Sequence, residues 1–221
     1  MMPARDNAVV DIAPFAVLAA RPDPPLDELA LSLAAEFREV DADGALARLD
    51  ALGEEVSLAP GDRLEAVTEV LGRRHGFAGD REHYDDPANS MLDIVVERRA
   101  GLPILLSVVY VEVARRAGLV LAGVGLPAHY VVARFAPPPP VLLDPFAGGV
   151  PLELPASEHL RPWREHETAL RMLNNLVGSY VRRNDLGPAI RAAEMRLELP
   201  LAGPPAEALG AELRSLRARL N

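Results

Sequence analysis

His129 and Asp144 are the residues of this chain whose types and spacing could do chemistry together. His129 opens a Val-rich run at 129–135, and Asp144 follows a second apolar run at 141–143. On adjacent antiparallel strands, a His near the start of one strand and an Asp near the end of the next can face each other. A carboxylate on one ring nitrogen fixes the tautomer and raises the basicity of the other nitrogen. The pair therefore supplies two thirds of a nucleophilic triad.

The missing nucleophile is expected where the preceding apolar helix, predicted over residues 103–117, begins. Pro103 suits the first helical turn because its absent N–H would have no intrahelical partner there, and Gly118 is a natural left-handed stop. The backbone N–H groups and dipole at a helix start can lower the pKa of a thiol. The sequence contains no cysteine, so a thiolate mechanism is chemically impossible for it.

Ser107 carries the nearest hydroxyl on the same predicted helix, one turn after Pro103. It is a candidate nucleophile because residues four apart lie on the same side of a helix. A serine at such a place more often packs in the core and bonds back to a helix carbonyl. Both interpretations are kept as hypotheses.

Three runs of the sequence carry a resemblance to a known family. They are YDDPANSMLDIVVERRAGLP, the dipeptide His129-Tyr130 and LLDPFAGG. Together they resemble the SirB-one type bacterial proteins, a branch of the transglutaminase-like superfamily that usually carries a tetratricopeptide-like tail. The similarity covers the chain from about residue 26 onward and is densest over 76–149.

The resemblance implies an α+β fold. It would consist of a papain-like core with a small antiparallel sheet, N-terminal helices and a C-terminal helical hairpin. It also implies that the catalytic Cys, His and Asp of the superfamily fall on Pro103, His129 and Asp144. The dyad is then degenerate, since proline offers no nucleophile.

Periodicity and proline placement divide the chain into four predicted parts. Five prolines interrupt the apolar runs of residues 1–25, which are predicted to form an irregular arm. Apolar stripes at helical spacing predict a small helical bundle over 26–76. The resemblance implies that the transglutaminase-like core occupies 77–160. Residues 161–221 form the helical tail, in which the run NNLVGSYVRRNDLGPAIRAAEMRLELP resembles one tetratricopeptide unit.

The loop before the predicted core helices is rich in acids and contains His83. Its spacing matches neither a zinc nor a calcium site, so no metal is predicted. Asn89 and Ser90 are expected to cap the next helix, and Tyr84 is expected to pack the loop over a cleft near His129. The residues predicted to form a binding groove are Pro103, Tyr130, Tyr84, Asn89 and Arg99.

Composition limits the classes of function. The chain has 221 residues, 49% of them hydrophobic, and a formal net charge of −9. That charge argues against nonspecific nucleic-acid binding, which needs a concentrated basic face. No apolar run has the length to span a bilayer, and no basic leader precedes an apolar segment, so a cytoplasmic protein is expected. No cofactor is predicted, and the oligomeric state is left open.

Two functions of different classes follow from these observations. The first is a non-catalytic transglutaminase-like protein that acts as a binding or regulatory module for another protein or a peptide. The alternative is a hydrolase in which His129, activated by Asp144, serves as general base toward water or a hydroxyl. Replacing His129 by Ala separates the two hypotheses.

Overall fold

The computed structural model describes residues 12–153, 160–201 and 203–220, with the backbone alone for Pro204. The α-helices in chain order are α1 Phe15–Ala19, α2 Leu26–Ala35, α3 Ala42–Leu58, α4 Arg63–Val67, α5 Leu92–Arg98, α6 Pro103–Arg116, α7 Glu165–Arg182, α8 Leu186–Glu198 and α9 Pro204–Ala218. The strands are β1 Ala78–Gly79, β2 Ala100–Gly101, β3 Ala122–Leu126, β4 His129–Arg134, β5 Val141–Asp144 and β6 Val150–Leu152. A π-helix, Thr68–Arg74, and two 3-10 turns, Pro87–Ser90 and Pro145–Ala147, complete the description.

The main sheet is a four-stranded antiparallel meander in the order β3-β4-β5-β6. Its side chains alternate between two faces, as the two-residue period of a strand requires. Tyr130, Val132 and Leu143 join the main core with α6, whereas Val131 and Ala133 belong to a smaller cluster. The predicted α+β class with a small antiparallel sheet is confirmed.

Helix α6 is the central element, and most of its side chains are buried. It begins at Pro103, as predicted, and ends at Arg116, one residue before the predicted end. Gly118 then adopts φ +76°, which is the left-handed stop that the sequence predicted.

A buried ion cluster holds the carboxyl end of α6. Arg116 contacts Asp27 of α2 at 2.7 Å and Glu112 at 2.9 Å, and it reaches Asp50 of α3 at 2.6 Å. Burial raises the pKa of Glu112, and the neighbouring charge of Asp27 raises it further. The cluster fastens α6 to α2 and α3 and so fixes the position of the helix start at the other end.

The predicted irregular arm differs from the structure where the structure describes it. Residues 12–25 contain α1, in which Phe15, Leu18 and Ala19 are fully buried. Pro14 stands at the N-cap of α1 rather than inside an element, so the prolines flank the helix instead of breaking it. Residues 1–11 of the predicted arm lie outside the described residues.

The last helical segment within the predicted bundle of residues 26–76 changes type along its length. It is α-helical over α4 and continues as the π-helix. Within the π-helix, a Cβ placed on Gly72 would lie 2.0 Å from the carbonyl oxygen of Gly148. This close approach lets the π-helix pack directly on the turn that follows β5.

The tail contains α7, α8 and α9, with α7 and α8 packed closely together. Ala189, Ala192 and Ala193 of α8 are fully buried, and small residues allow two helices to approach closely. Residues 154–159 of the predicted connector lie outside the described part of the chain. In that described part, no helix combines the length and apolarity needed to cross a membrane.

Candidate functional site

His129 and Asp144 form a direct pair. The β4–β5 register sets Val132 opposite Leu143, so Asp144 stands across from Val131 and diagonal to His129, on the same face of the sheet. The Nε2 atom of His129 lies 3.0 Å from Oδ2 of Asp144. The structure therefore brings together the two residues that the sequence paired.

Asp144 also caps the turn that follows it. Its Oδ1 accepts a hydrogen bond from the backbone N–H of Phe146 at 3.0 Å, and its carbonyl accepts from Gly149 N at 2.7 Å. Gly148 and Gly149 have φ of +78° and +79°, a region that favours glycine. The pairing and capping interpretations of Asp144 thus hold together, one for each carboxylate oxygen.

Phe146 is the centre of an aromatic cluster above this pair. The His129 ring meets it edge-on at 6.3 Å and Tyr84 does so at 6.0 Å, measured between ring centroids. The guanidinium of Arg81 lies 5.1 Å from the Phe146 centroid, within cation–π distance. We call His129, Asp144, Phe146, Tyr84 and Arg81 the His129 site.

Sequence reasoning missed Phe146 and Arg81 as members of the site. Phe146 lies inside the quoted run LLDPFAGG, so an aromatic residue directly after Asp-Pro was an available signal. A second signal was the glycine at position 79, because a Cβ there would lie 2.1 Å from the Phe146 ring. Arg81 left no comparable signal, because one charged residue in an acidic loop is usually solvated.

The start of α6 lies beside this cluster. Gly79 of β1 pairs with Gly101 of β2, and the N–H of Asp80 donates to the Gly101 carbonyl at 3.3 Å. Two residues later Pro103 occupies the first position of α6, where its side chain is buried. Pro103 is the position to which the resemblance assigns the nucleophile. It therefore lies next to the loop that carries Arg81 and Tyr84.

Ser107 is placed poorly for nucleophilic attack. It is fully buried, and its Oγ donates to the Pro103 carbonyl at 2.8 Å, four residues back along α6. It lines a cavity of about 90 Å³ together with Tyr130 and Thr168. Because Tyr130 and His129 are consecutive strand residues, they point to opposite faces. The geometry supports the packing interpretation of Ser107 and not the nucleophile.

Tyr130 is a core residue instead of a groove residue. Its side chain is buried, and its hydroxyl lies 2.8 Å from Oγ1 of Thr168. Thr168 in turn donates to the Arg164 carbonyl, so the Tyr130 hydroxyl acts as donor to Thr168. Burial raises the pKa of Tyr130 to about 12. The prediction that Tyr130 lines a binding surface does not fit this burial.

Asn89 and Arg99 have structural positions in the loops around the site. Asn89 is buried, and its amide donates to the His83 carbonyl at 2.8 Å and to Asp80 Oδ2 at 3.2 Å. It does not cap α5: Met91 is the N-cap, without a side-chain bond. Arg99 is exposed, has φ +59°, and reaches the His75 carbonyl at 3.4 Å. Neither residue touches the His129 ring in these contacts.

Tyr84 contacts the Phe146 ring and is 47% exposed. The His129 side chain is 29% exposed, so solvent reaches the ring. Its Nε2 faces Asp144 at 3.0 Å. Among the described residues, no group of three or more His, Asp or Glu side chains is placed to hold a metal ion.

Comparison with known proteins gives a consistent assignment. The family described as the transglutaminase-like superfamily matches residues 26–170. A UPF0162 protein of Xylella fastidiosa is 37% identical over 165 residues, covering 66% of this chain and 58% of the relative. A UPF0162 protein of Vibrio cholerae is 30% identical over 102 residues, 46% of this chain and 36% of the relative.

A more distant similarity is confined to part of the chain. F-box only protein 21 of Mus musculus is 36% identical over 69 residues, covering 31% of this chain and 11% of that protein. No solved structure matches the chain. The chain spans 58% of the length of the Xylella relative.

Proposed function

The chain belongs to the transglutaminase-like superfamily, and from this membership we propose that it is a non-catalytic member that binds another protein or a peptide through the His129 site. The observation that carries the proposal is Pro103. It is buried at the first position of α6, where the resemblance assigns the catalytic Cys, and the sequence has no cysteine elsewhere. A scaffold that keeps its His–Asp pair without a nucleophile retains a shaped surface rather than a reaction.

The surface chemistry of the site supports a protein or peptide as partner. Tyr84 is exposed, and Arg81 stacks over Phe146. Tyrosine and arginine are enriched among the residues that dominate binding energy at protein interfaces. Tyr84 and Arg81 both contact the Phe146 ring. These contacts hold the two side chains in place, so little side-chain entropy remains to be lost on binding.

The helical tail supplies a second contact surface in this proposal. Arg182 of α7 forms an ion pair with Asp85, and Ser179 donates to the Asp85 carbonyl, next to Tyr84. We infer that the tail is a tetratricopeptide-like unit of the SirB-one type. The close packing of α7 on α8 through small residues supports this inference. A single unit offers a docking surface rather than a long groove.

The binding proposal is tested with a partner isolated on the full chain and then purified. Isothermal titration calorimetry measures its Kd for the wild type, Tyr84→Ser and Val120→Ser. Val120 is an exposed apolar residue, 83% accessible, outside the His129 site, and serves as the matched control. We expect Tyr84→Ser to weaken binding about tenfold or more, as truncation of a central interface tyrosine does. Equal Kd values for the two variants would contradict the assignment of the surface.

A second candidate function rests on the 3.0 Å contact between His129 and Asp144. With Asp144 as its partner, His129 could serve as general base toward water in a hydrolase. Hydrolysis of p-nitrophenyl acetate and of a glutamine-containing peptide by wild type and His129→Ala distinguishes the functions. The binding module predicts no turnover above buffer in either protein, whereas the hydrolase predicts turnover that His129→Ala abolishes.

A further inference from the structure

We propose that the far end of β4 carries a second ligand site, at Arg134, which binds a small carboxylate with an apolar body. This inference goes beyond the protein-binding function proposed for the His129 site. The two places are separated by five residues of an extended strand, about 16 Å at roughly 3.3 Å per residue. They also face opposite sides of the sheet, because residues 129 and 134 differ by an odd number.

Arg134 has more donor capacity than its surroundings use. A guanidinium carries five N–H donors in a planar fork. In the described chain, one of them reaches Asp62 at a long 3.5 Å, and the buried Nε has no partner. The Arg134 side chain is only 22% exposed. A buried donor without a partner costs folding free energy, and the part of the guanidinium that stays exposed can bind an acceptor in the adjoining cavity.

Asp62 is not a full partner for this fork. Its Oδ1 caps α4 by accepting from the N–H of Leu64 at 2.9 Å, and its side chain is 52% exposed. Only Oδ2 is directed toward Arg134. The guanidinium is therefore oriented by Asp62 while most of its donors stay available.

A cavity of about 720 Å³ lies in front of Arg134. This volume falls within the range of small-molecule sites, roughly 300–1,000 Å³. Its apolar wall includes Leu64, Ala66, Val141, Leu143 and Pro151. The cavity therefore combines an apolar wall with one underused guanidinium.

The π-helix forms another wall of the cavity through Thr68, Glu69, Arg73 and Arg74. Insertions of this kind in a helix occur frequently at functional sites. Here the π-helix is supported by the contact of Gly72 with Gly148. The π-helix is thus packed against the turn that follows β5.

The charges around the cavity select a singly charged ligand. Three arginines and three acidic side chains line it: Arg73, Arg74, Arg134, Asp62, Glu65 and Glu69. Arg73 is already paired with Glu69 at 3.0 Å, and Arg74 contacts Glu55 at 3.2 Å. With no net charge in the lining, a dianion gains no general attraction, whereas a planar carboxylate matches the Arg134 fork bidentately.

The test uses benzoate titrated into the ¹⁵N-labelled full chain. Binding is followed through the Arg134 Nε–H signal, assigned by its loss in Arg134→Gln, and through the amides of Thr68 and Leu143. We expect saturable shifts in the wild type. Arg134→Gln is expected to raise the Kd about tenfold or more, since a charge-assisted bidentate contact is lost. Absence of saturation in the wild type up to tens of millimolar benzoate would overturn the proposal.

Two further variants test whether the effect on benzoate binding is specific to Arg134. Asp62→Asn keeps the helix cap, because Asn is as good an N-cap as Asp, and removes a competing carboxylate. It should therefore lower the Kd about threefold or more. Arg73→Gln removes an arginine that is 76% exposed and should leave the Kd within about twofold. A Kd raised equally by Arg73→Gln and Arg134→Gln would reduce the effect to general electrostatics and overturn the proposal.

Ala59→Trp serves if Arg134→Gln fails to fold. Ala59 lines the cavity, has extended backbone at φ −68° and ψ 139°, and can carry a large side chain that fills the space. It should abolish benzoate binding with Arg134 intact, and unchanged binding would contradict the site. Inorganic phosphate is titrated in parallel. If phosphate produces shifts of the same size at the same concentration, the assignment to an apolar carboxylate fails.

Discussion

The two ends of β4 make opposite use of a charged side chain. At its start, His129 Nε2 lies 3.0 Å from Asp144 Oδ2. The other carboxylate oxygen of Asp144 accepts a hydrogen bond from the N–H of Phe146. At its end, Arg134 has one long contact and an unpartnered buried nitrogen. At the first end both carboxylate oxygens of Asp144 are used within the protein, whereas at the second end the Arg134 guanidinium keeps unused donors.

This difference assigns the two ends different roles. A hydrogen-bonded His–Asp pair under an aromatic cluster presents an ordered surface, which suits recognition of a partner. An underused guanidinium beside a cavity suits a ligand that completes its hydrogen bonds. The two ends share one support, the contact between the π-helix at Gly72 and the turn at Gly148.

The largest expected effect comes from breaking that shared support. In Gly72→Ala the new Cβ would lie 2.0 Å from a backbone oxygen, which cannot rotate away. We expect a loss of about 2–3 kcal/mol in the free energy of unfolding, at the upper end of overpacking effects. Urea denaturation measures it. Gly187→Ala in α8 is the control, since nothing lies within 4 Å of its Cβ, and it should not destabilise.

Asp144→Ala should act at the His129 end and leave the Arg134 site able to bind benzoate. It removes the His129 contact and the cap on Phe146 N, for an expected loss of about 1–2 kcal/mol. Urea denaturation gives the stability, and benzoate titration gives the Kd at Arg134. A changed benzoate Kd together with native-like amide shifts at Thr68 would mean that the two ends are coupled, contrary to the comparison.

Two buried tyrosines provide the next test, because only one of their hydroxyls has a hydrogen-bond partner. The Tyr130 hydroxyl donates to Thr168, whereas the Tyr110 hydroxyl is buried without a partner. Tyr130→Phe should therefore cost about 1 kcal/mol of stability and Tyr110→Phe close to nothing. Equal losses in urea denaturation would show that the Tyr110 hydroxyl makes an interaction after all.

The same tyrosines predict a dependence of stability on alkaline pH. Burial raises the pKa of Tyr110 above its ordinary value, and the charge of Asp144 raises it further; burial raises the pKa of Tyr130 to about 12. Above about pH 10 the unfolded chain ionises both phenols while the folded chain keeps them neutral. Stability should therefore be constant up to about pH 9.5 and fall toward pH 11, less steeply in Tyr110→Phe.

Ser107→Ala carries the smallest expected effect. Its hydroxyl bonds only to a helix carbonyl that α6 already provides for, so stability should change by no more than about 1 kcal/mol. Any hydrolysis of p-nitrophenyl acetate should be unchanged. A turnover that Ser107→Ala abolishes in a folded protein would restore Ser107 as a nucleophile.

Local pattern was sufficient for several features of the fold. The apolar helix from Pro103, its end near Gly118 and the strands that begin at His129 and Val141 all follow from periodicity and from glycine and proline positions. The contact between His129 and Asp144 followed because a short hairpin leaves few possible registers. These features depend on residues close together in the chain.

Other features needed contacts that no local pattern records. Prolines suggested an irregular start, yet α1 is buried against distant helices. The Asn89-Ser90 pair looked like a cap, but Asn89 is used to hold the Asp80–His83 loop. The helical pattern of the bundle predicted over 26–76 gave no sign of a π-helix, which packs on Gly148 through Gly72.

The sequence by itself determined which reaction is excluded and suggested which residues pair. A chain without cysteine cannot perform thiolate chemistry, and two consecutive strand patterns offer His129 and Asp144 as a pair, but the β4–β5 register decides that they share a face. The tertiary structure alone decided what surrounds them: Phe146, Tyr84 and Arg81 over the pair, and an underused Arg134 at the other end. The reason is physical, since burial and hydrogen-bond saturation depend on segments far apart in the chain, and only the folded packing brings those segments into contact.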